Sequence, residues 1–373
     1  MPKNKHDQVL KKTYFWVMLK HKKRIMALSI IPQLILLKII ANYPNVVESM
    51  YSHGLYIFIS KFMRYVFGWV PFSVGDVFYT LLGVYIMYWI IKHRKRVIRD
   101  PKNWMVDVFS AIAMGYFAFH VLWAFNYYRL PLHESLEIEN DYTTEELVDL
   151  TEKLIEKTNA LQLTLAKTDT IKVVLPFSKS EVLKMIPDGY DELSKKFPYL
   201  AYHPRSIKQS LYSIPLTYMG FSGYLNPFTN EAQVDRLIPT YKFPTTGSHE
   251  VAHQLGYAAE NEANFIGSMA AMHHPDIYFN YSGCAFALRH CLGEIYRRDP
   301  EHYETLKKQV HIGVLKNYQE VRDFWDSYQN PAEPLFKATY SNFLKSNNQA
   351  GGMDSYSYVV ALLVNYHKNN PID

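Results

Sequence analysis

The sequence predicts a membrane-anchored α+β protein, in which about three N-terminal transmembrane helices precede a mainly helical domain with a small sheet. The first reason is composition: the 373 residues are 48% hydrophobic and 15% aromatic, rich for a purely soluble chain, and the apolar surplus lies before residue 130. The second is patterning. Amphipathic helical periodicity dominates from Leu130 onward, interrupted between Pro204 and Thr240 by short segments with Pro and Gly. We therefore expect an anchor at residues 1–129 and a separate domain at residues 130–373.

Three apolar stretches predict the transmembrane helices, at residues 25–41, 74–91 and 106–125. Each approaches the length of about 20 residues that a helix needs to cross a bilayer. The first is the shortest and carries Lys38 near one end, from which its side chain can reach the lipid headgroups. Residues 77–91 have no charge and no polar face, which disfavours a buried helix of a soluble protein.

A further apolar and aromatic segment, residues 55–70, is interrupted by Lys61 and Arg64 and followed by Pro71. We interpret it as an amphipathic helix lying in the outer membrane interface, with Trp69 as an anchor. If it crossed the bilayer instead, the domain would lie in the cytoplasm. The predicted topology therefore depends on this segment.

Basic residues predict the orientation in the membrane. They cluster before the first span and again at residues 92–102, whereas the loop between the first two spans carries only Lys61 and Arg64. The positive-inside rule then places the N-terminus and the second loop in the cytoplasm and the domain outside it. The net charge of +5 comes mostly from these clusters, which suit anionic lipids, and no nucleic-acid motif accompanies them. We expect the lipid bilayer as a partner, and no nucleic acid.

The segment from His249 to His253 carries an H-E-x-x-H signature. On a helix, His249 and His253 project from one face a single turn apart, so both imidazoles can reach one Zn²⁺. Glu250 would face the open position of the metal and act as general base toward a water that the metal activates. The residues from Pro244 to Gly247 predict a break with Ser248 as N-cap, so that the helix begins at the motif.

The third zinc ligand has two candidates, Glu260 and Glu262. Glu260 shares a helix face with Asn264, whereas Glu262 points roughly 160° away. Asn264 could hold a ligating histidine in its tautomer through the ring nitrogen that does not bind metal. The E-x-x-A-N segment resembles that of gluzincin-type metallopeptidases, in which the first Glu binds zinc, and this favours Glu260. The short link after His253 keeps Glu262 as the alternative.

Other elements of the domain follow from local patterns. Thr143 and Glu146 form a capping box that opens a helix, and Gly220–Leu225 predicts an edge strand to which a substrate peptide could add. A strand is also expected at Tyr212–Ile214. Further helices are expected at Ser178–Lys196, Ser282–Arg298, Pro300–Asp326, Leu335–Ser346 and Ser355–His367. Cys284 and Cys291 lie too far apart on one helix for a disulfide. Candidate donors to the oxyanion of a hydrolytic intermediate are Tyr257, His273, His274, Arg289, Tyr356 and Tyr358.

Several linked motifs together resemble an uncharacterised family of bacterial membrane proteins, catalogued as a domain of unknown function. They are the run Phe125–Leu132, the run Asn226–Ala232, the H-E-x-x-H-Q-x-G helix with E-x-E-A-N-F, and Gly351–Tyr356. The resemblance implies a few membrane helices and a gluzincin-like, zincin-type domain, with His249, His253 and Glu260 on zinc and Glu250 as base. It also implies a multi-pass protein of the bacterial cell (inner) membrane.

These observations favour a membrane-bound zinc metallopeptidase that acts on a peptide or protein substrate. The alternative is a non-catalytic membrane sensor or scaffold with a vestigial or structural zinc site. Structural zinc sites are usually closed by four protein ligands rich in Cys, which disfavours the alternative. Proteolysis inside the bilayer is disfavoured because Lys242, Glu260 and Glu262 flank the motif in place of a long apolar span.

Overall fold

The computed structural model describes residues 21–349, 351–352 and 358–372. The described chain is mostly helical with one small sheet. Its N-terminal part holds five helices, of which the second is wound as a π-helix over Val47–Leu55. They are α1 (His21–Ile40), α2 (Pro44–Phe67), α3 (Val74–His93), α4 (Arg96–Arg99) and α5 (Pro101–Leu122).

Two of these helices, α3 and α5, are long and apolar enough to cross a bilayer. They correspond to the predicted spans at residues 74–91 and 106–125. The span predicted at 25–41 is not confirmed, because α1 meets the same test only together with α2. That pair bends by 101° at the break between the two helices. The protein thus has two candidate membrane helices, or three if the bent pair is one span.

The rest of the described chain holds eleven further α-helices, three strands and three short 3-10 helices, the last at Ala124–Tyr128, Pro198–Leu200 and Thr240–Lys242. The helices are α6 (Leu132–Ser135), α7 (Thr144–Ala166), α8 (Lys179–Lys196), α9 (Ser213–Met219), α10 (Phe243–Gln254), α11 (Glu260–Met272), α12 (Ile277–Arg298), α13 (Pro300–Lys307), α14 (Ile312–Ser327), α15 (Glu333–Ser346) and α16 (Val359–His367). The strands are β1 (Ile207–Gln209), β2 (Gly223–Asn226) and β3 (Glu231–Val234). A hydrophobic core runs from Leu132 to Tyr366 and is built mainly by α7, α8, α10, α11, α12 and α16.

The capping box of Thr143 and Glu146 is confirmed at the start of α7, and Ser178 caps α8 in the same way. Cys284 and Cys291 are free and buried, as predicted. Three expectations are wrong: one strand, one helix and the start of the motif helix. Tyr212–Ile214 leads into α9 and is no strand, and the helix predicted at Pro300–Asp326 is broken after Lys307. Of the last predicted helix, residues 355–357 lie outside the described residues.

The third correction concerns the motif helix, which begins at Phe243 and not at Ser248. Pro244 lies in the first turn, where its missing N–H group has no intrahelical partner to lose. Proline therefore starts this helix and does not interrupt it. Ser248 is buried inside α10, and its carbonyl accepts a hydrogen bond from Tyr190 Oη at 2.5 Å.

The sheet has the strand order β1-β3-β2, with β1 parallel and β2 antiparallel to β3. The short strand β2 therefore lies at an edge, as predicted for Gly220–Leu225. Glu231, on the central strand, accepts hydrogen bonds from the first amides of α3: Val74 N at 3.2 Å and Gly75 N at 2.5 Å. Its carboxylate also pairs with Lys208 in a buried ion pair. The sheet and a candidate membrane helix are thus joined directly.

One face of α2 packs on the residues of the domain, and the opposite face is exposed. Tyr56 donates a hydrogen bond to the carbonyl of Gln254, at 2.8 Å, and Ser60 bonds to Asn230, at 3.0 Å. On the opposite face Phe58 and Phe62 are 74% and 64% exposed. This distribution fits the amphipathic helix predicted at residues 55–70.

Candidate metal centre

The residues of the H-E-x-x-H motif lie on α10, and a tight connection leads directly to α11. Gly256 has φ +96°, a conformation that favours glycine, and ends α10 so that α11 can begin at Glu260. The two helices also approach closely along their length. A Cβ atom on Gly267 of α11 would lie only 2.6 Å from the backbone nitrogen of His249. This contact brings Glu260 opposite the two histidines.

Three side chains converge between the helices. Glu260 Oε2 lies 3.3 Å from His249 Nε2 and 3.4 Å from His253 Nε2. Among the described residues, these form the one group of three or more His, Cys, Asp and Glu side chains with its ligand atoms within 4.8 Å of one another. Glu262, the alternative ligand, points elsewhere: its Oε1 accepts a hydrogen bond from the backbone N–H of Leu132 at 2.7 Å. The geometry thus favours Glu260.

The tautomer of His253 leaves a bare nitrogen facing the carboxylate. Its Nδ1 lies 2.8 Å from the carbonyl oxygen of Tyr257, which can only accept, so Nδ1 carries the proton. In a neutral ring Nε2 then presents a lone pair to Glu260 Oε2, a buried atom with no hydrogen-bond partner among the described residues. Two electron-rich atoms at this distance repel unless a proton or a metal ion lies between them. Burial lowers the pKa of His253, but Glu260 outweighs this and raises it to about 9, so the contact favours positive charge at Nε2.

The two distances from Glu260 Oε2 to the histidine nitrogens fit a tetrahedral zinc ion. Ligand atoms about 2.0–2.1 Å from zinc are separated by about 3.3–3.4 Å along a tetrahedral edge. The two separations from Glu260 Oε2 match this edge. Tyr340 donates a hydrogen bond to the other oxygen, Oε1, at 2.7 Å and so fixes the carboxylate. Two histidines and a glutamate are side chains that bind zinc in proteins, and zinc binding by these three stays a prediction.

Asn264 lies one turn after Glu260, as predicted, and lines the same cavity as His249. Burial lowers the pKa of His249, while Glu260 and the Asn264 side chain favour its charged form. His249 Nδ1 is buried without a hydrogen-bond partner among the described residues, so the orienting role of Asn264 stays a prediction.

Glu250 lies beside the three convergent side chains, on the neighbouring position of α10. Burial raises its pKa to about 8, and the negative Glu260 acts in the same direction. Its Oε2 has no hydrogen-bond partner among the described residues. Strand β2 passes directly over the carboxylate, since a Cβ on Gly223 would lie 2.6 Å from Glu250 Oε1. A carboxylate with a raised pKa and an unused oxygen is suited to proton transfer.

Two cavities meet at His249 and Glu250. One, of about 590 Å³, is bounded mainly by aromatic and aliphatic side chains and by α3 and α5. The other, of about 220 Å³, is polar and carries Lys242, Arg289 and His290. Burial lowers the pKa of Lys242 to about 8, with the nearby Arg289 adding to this effect. No ion pair of Lys242 or Arg289 occurs among the described residues.

Of the predicted oxyanion donors, Arg289 alone among the described ones lines a cavity with Glu250. The ring of Tyr257 is covered by the Arg129 guanidinium, 4.0 Å from its centre. His274 stacks on Phe279 with its ring 3.7 Å away. Tyr356 lies outside the described residues.

The aromatic run after α5 contributes to the walls of the site. Trp123 and Tyr127 line the apolar cavity together with His253. Arg129 is buried and binds both carboxylate oxygens of Glu48, at 2.9 and 2.6 Å. In the sequence, the sign of this role was that Trp123 and Tyr127 closely follow α5. Composition alone cannot connect that position to a site far along the chain.

Comparison with curated proteins gives no match, and comparison with solved structures gives none either. One family model matches residues 51–364, a range that runs from α2 into α16. It includes both candidate membrane helices, the sheet and all of the candidate metal centre. The chain therefore belongs to the family described as Protein of unknown function (DUF3810).

Proposed function

We propose that this protein is a membrane-bound zinc metallopeptidase with a zincin-like domain. The observation that carries the proposal is the convergence of His249, His253 and Glu260, in which Glu260 Oε2 lies a tetrahedral edge away from each histidine Nε2. Glu250 lies beside this triangle where two cavities meet. A closed structural site would offer no such access to its fourth position.

Zinc held by these three residues would polarise a peptide carbonyl and increase the acidity of water. Glu250 would accept the proton of the attacking water and deliver it to the departing amine. The raised pKa favours this role, because a base must hold the proton between the two steps. Arg289 and Lys242 would stabilise negative charge that develops on the carbonyl oxygen. The free edge of β2 would align an extended substrate over Glu250.

The two ends of α3 and α5 support the proposed orientation in the membrane. Their domain-side ends are the start of α3, bound by Glu231, and Trp123 after α5, bound to His253. Their opposite ends carry the basic loop at residues 92–102. Because such loops stay in the cytoplasm, the domain would lie on the extracytoplasmic side of a bacterial inner membrane. This argument does not depend on α1.

The contacts of α1 support a third span. Lys23, near its start, pairs with Asp107 at the loop end of α5, at 2.6 Å. Further along, Gln33 donates to the carbonyl of Ala113, and Leu37 packs near the domain end. With a rise of 1.5 Å per residue, α1 is about 30 Å long, the thickness of the hydrocarbon core. We propose that it crosses alongside α5.

The test is zinc content and hydrolysis measured on the full-length protein in detergent or lipid. A degenerate peptide mixture would serve as substrate, with products identified by mass spectrometry. We expect about one zinc per chain, and we expect Glu250→Gln to keep it while losing at least about 100-fold in rate. Glu152→Gln, at an exposed site on α7, is the matched control.

Absence of zinc from the folded protein would refute the proposal. Zinc without hydrolysis by the wild type would favour the non-catalytic sensor or scaffold. Equal rates for Glu250→Gln and Glu152→Gln would reject Glu250 as the base.

A further inference from the structure

The apolar cavity connects the candidate metal centre with the membrane helices. Its wall includes Tyr79 of α3 and Ile112, Gly115, Tyr116 and Phe119 of α5. The four α5 residues share one helix face, which continues through Trp123 to His253. From Ile112 to Trp123 this face is about 16 Å long. Since Ile112 lies halfway along α5, the cavity extends from the site to the depth of the hydrocarbon core.

Both membrane helices contribute to the wall of this space. Near the basic loop they meet, where the rings of Trp89 and Trp104 lie 6.0 Å apart. At the domain end the cavity lies between Tyr79 and Tyr116. Outside the metal centre, none of the described residues that line the cavity is charged. Such a surface suits an apolar ligand that enters sideways from the bilayer.

The opposite wall identifies the ligand as a polypeptide. It contains Gly223, Tyr224 and Leu225 of β2, the edge strand of the sheet. An edge strand offers unpaired backbone N–H and C=O groups. An extended peptide can bond to these groups, whereas a lipid chain cannot. The cavity therefore combines an apolar wall on the side of α3 and α5 with a strand edge beside Glu250 that can bind a peptide.

We infer that the substrate is a membrane-anchored polypeptide, whose apolar segment lies between α3 and α5 and whose adjoining extended residues lie along β2. This inference rests on the proposed peptidase function and assigns it a substrate class. The bond presented to Glu250 would then lie within a few residues of the membrane surface. The polar cavity with Lys242 and Arg289 would receive the part of the chain beyond the cut.

Two glycines provide a matched pair of variants. A Cβ on Gly115, which lines the cavity, would meet no heavy atom within 4 Å, and the same is true of Gly83 on α3, which does not line it. Gly115→Leu fills the cavity, and Gly83→Leu adds the same side chain elsewhere on a membrane helix. The full-length protein would be reconstituted in vesicles with zinc. The anchored substrate is a degenerate extension fused to a helix of about 20 leucine and alanine residues, and the soluble one is the extension alone.

We expect Gly115→Leu to lower the ratio of anchored to soluble cleavage about tenfold, since the added side chain occupies the ligand's space. Gly83→Leu should leave the ratio at the wild-type value. Equal ratios for the two variants would overturn the inference, because anchoring alone would then explain any preference.

A binding measurement separates this inference from the proposed function. Photoreactive leucine in the apolar helix of the substrate should crosslink to residues 112–123 of the Glu250→Gln protein, and less so after Gly115→Leu. This result is independent of hydrolysis, so it stands even if the peptidase proposal fails. Crosslinks to other faces of α5, or equal labelling of the cavity by a photoreactive lipid, would overturn the inference.

Discussion

The indole N–H of Trp123 donates a hydrogen bond to the backbone carbonyl of His253, with nitrogen and oxygen 2.9 Å apart. The rings of the two residues also meet edge to face, with their centres 6.2 Å apart. Trp123 is the residue that follows α5, so the end of a candidate membrane helix is attached to the second histidine of the motif. The position of that histidine thus depends on α5 as well as on α10, which carries it.

Trp123→Phe should weaken the site because it removes this bond while keeping an aromatic ring. The His253 carbonyl keeps a bond from the Gly256 N–H at 3.0 Å, so the cost is that of one lost hydrogen bond, about 0.5–1.5 kcal/mol. We expect a lower melting temperature and up to about tenfold slower hydrolysis, measured by thermal unfolding and peptide cleavage. Trp104→Phe is the control, since Trp104 Nε1 is buried without a hydrogen-bond partner among the described residues. Equal effects of the two variants would contradict the role given to Trp123.

Replacing each of the two candidate glutamates in turn by glutamine should identify the third zinc ligand. Glu260→Gln replaces the charged oxygen between the histidines, and we expect zinc to be lost from the purified protein. Glu262→Gln keeps an oxygen that can accept the bond from Leu132 N–H, so zinc should be retained. The measurement is the zinc content of each purified variant by mass spectrometry. Loss of zinc from Glu262→Gln alone would reverse the assignment.

Gly267→Ala should separate the two helices that carry the site. Its Cβ would lie 2.6 Å from the nitrogen and 2.8 Å from the Cα of His249, so α10 and α11 must move apart. We expect about 1–3 kcal/mol lower stability and weaker zinc binding in competition with a chelator. Gly293→Ala on α12 is the control, because its Cβ would meet nothing within 4 Å. Unchanged zinc affinity in Gly267→Ala would contradict the close-approach argument.

His290 should make the stability of the protein depend on pH. Burial lowers its pKa to about 3, with the positive Arg289, Lys242 and Arg297 adding to this effect. The unfolded chain binds the proton near pH 6.5 and the folded protein does not, so the free energy of unfolding falls as the pH is lowered from 6.5 toward 3. Between pH 6.5 and 5 the loss is about 1–2 kcal/mol, after allowance for partial exposure.

His290→Gln removes this group, so its melting temperature should fall less than that of the wild type between pH 7 and 5. The measurement is thermal unfolding of both proteins across this range. If the melting temperatures of the two proteins fell equally with pH, His290 would be protonated equally in the folded and unfolded states.

The sequence predicted the features that local geometry determines. The capping residues Thr143 and Ser178 act within a single turn, and the four-residue spacing of His249 and His253 fixes their common face. Glu260 could be ranked above Glu262 only by resemblance, since the choice depends on how α11 packs on α10. Trp123 was missed for the same reason, because its partner His253 lies 130 residues along the chain. The start of α10 was misplaced because proline is acceptable in a first turn and unfavourable later.

The bonds between Glu231 and the first turn of α3 couple the domain to the bilayer in a further way. A transmembrane helix adjusts its tilt when the surrounding membrane is thicker or thinner than its apolar length. Glu231 holds the amides of Val74 and Gly75, so a change in the tilt of α3 would turn β3 with it. Strand β2, paired to β3, carries Gly223 against the Glu250 carboxylate. Lipid composition would thereby act on the geometry around Glu250, and hydrophobic mismatch would become a physical control on the rate of the proposed peptidase.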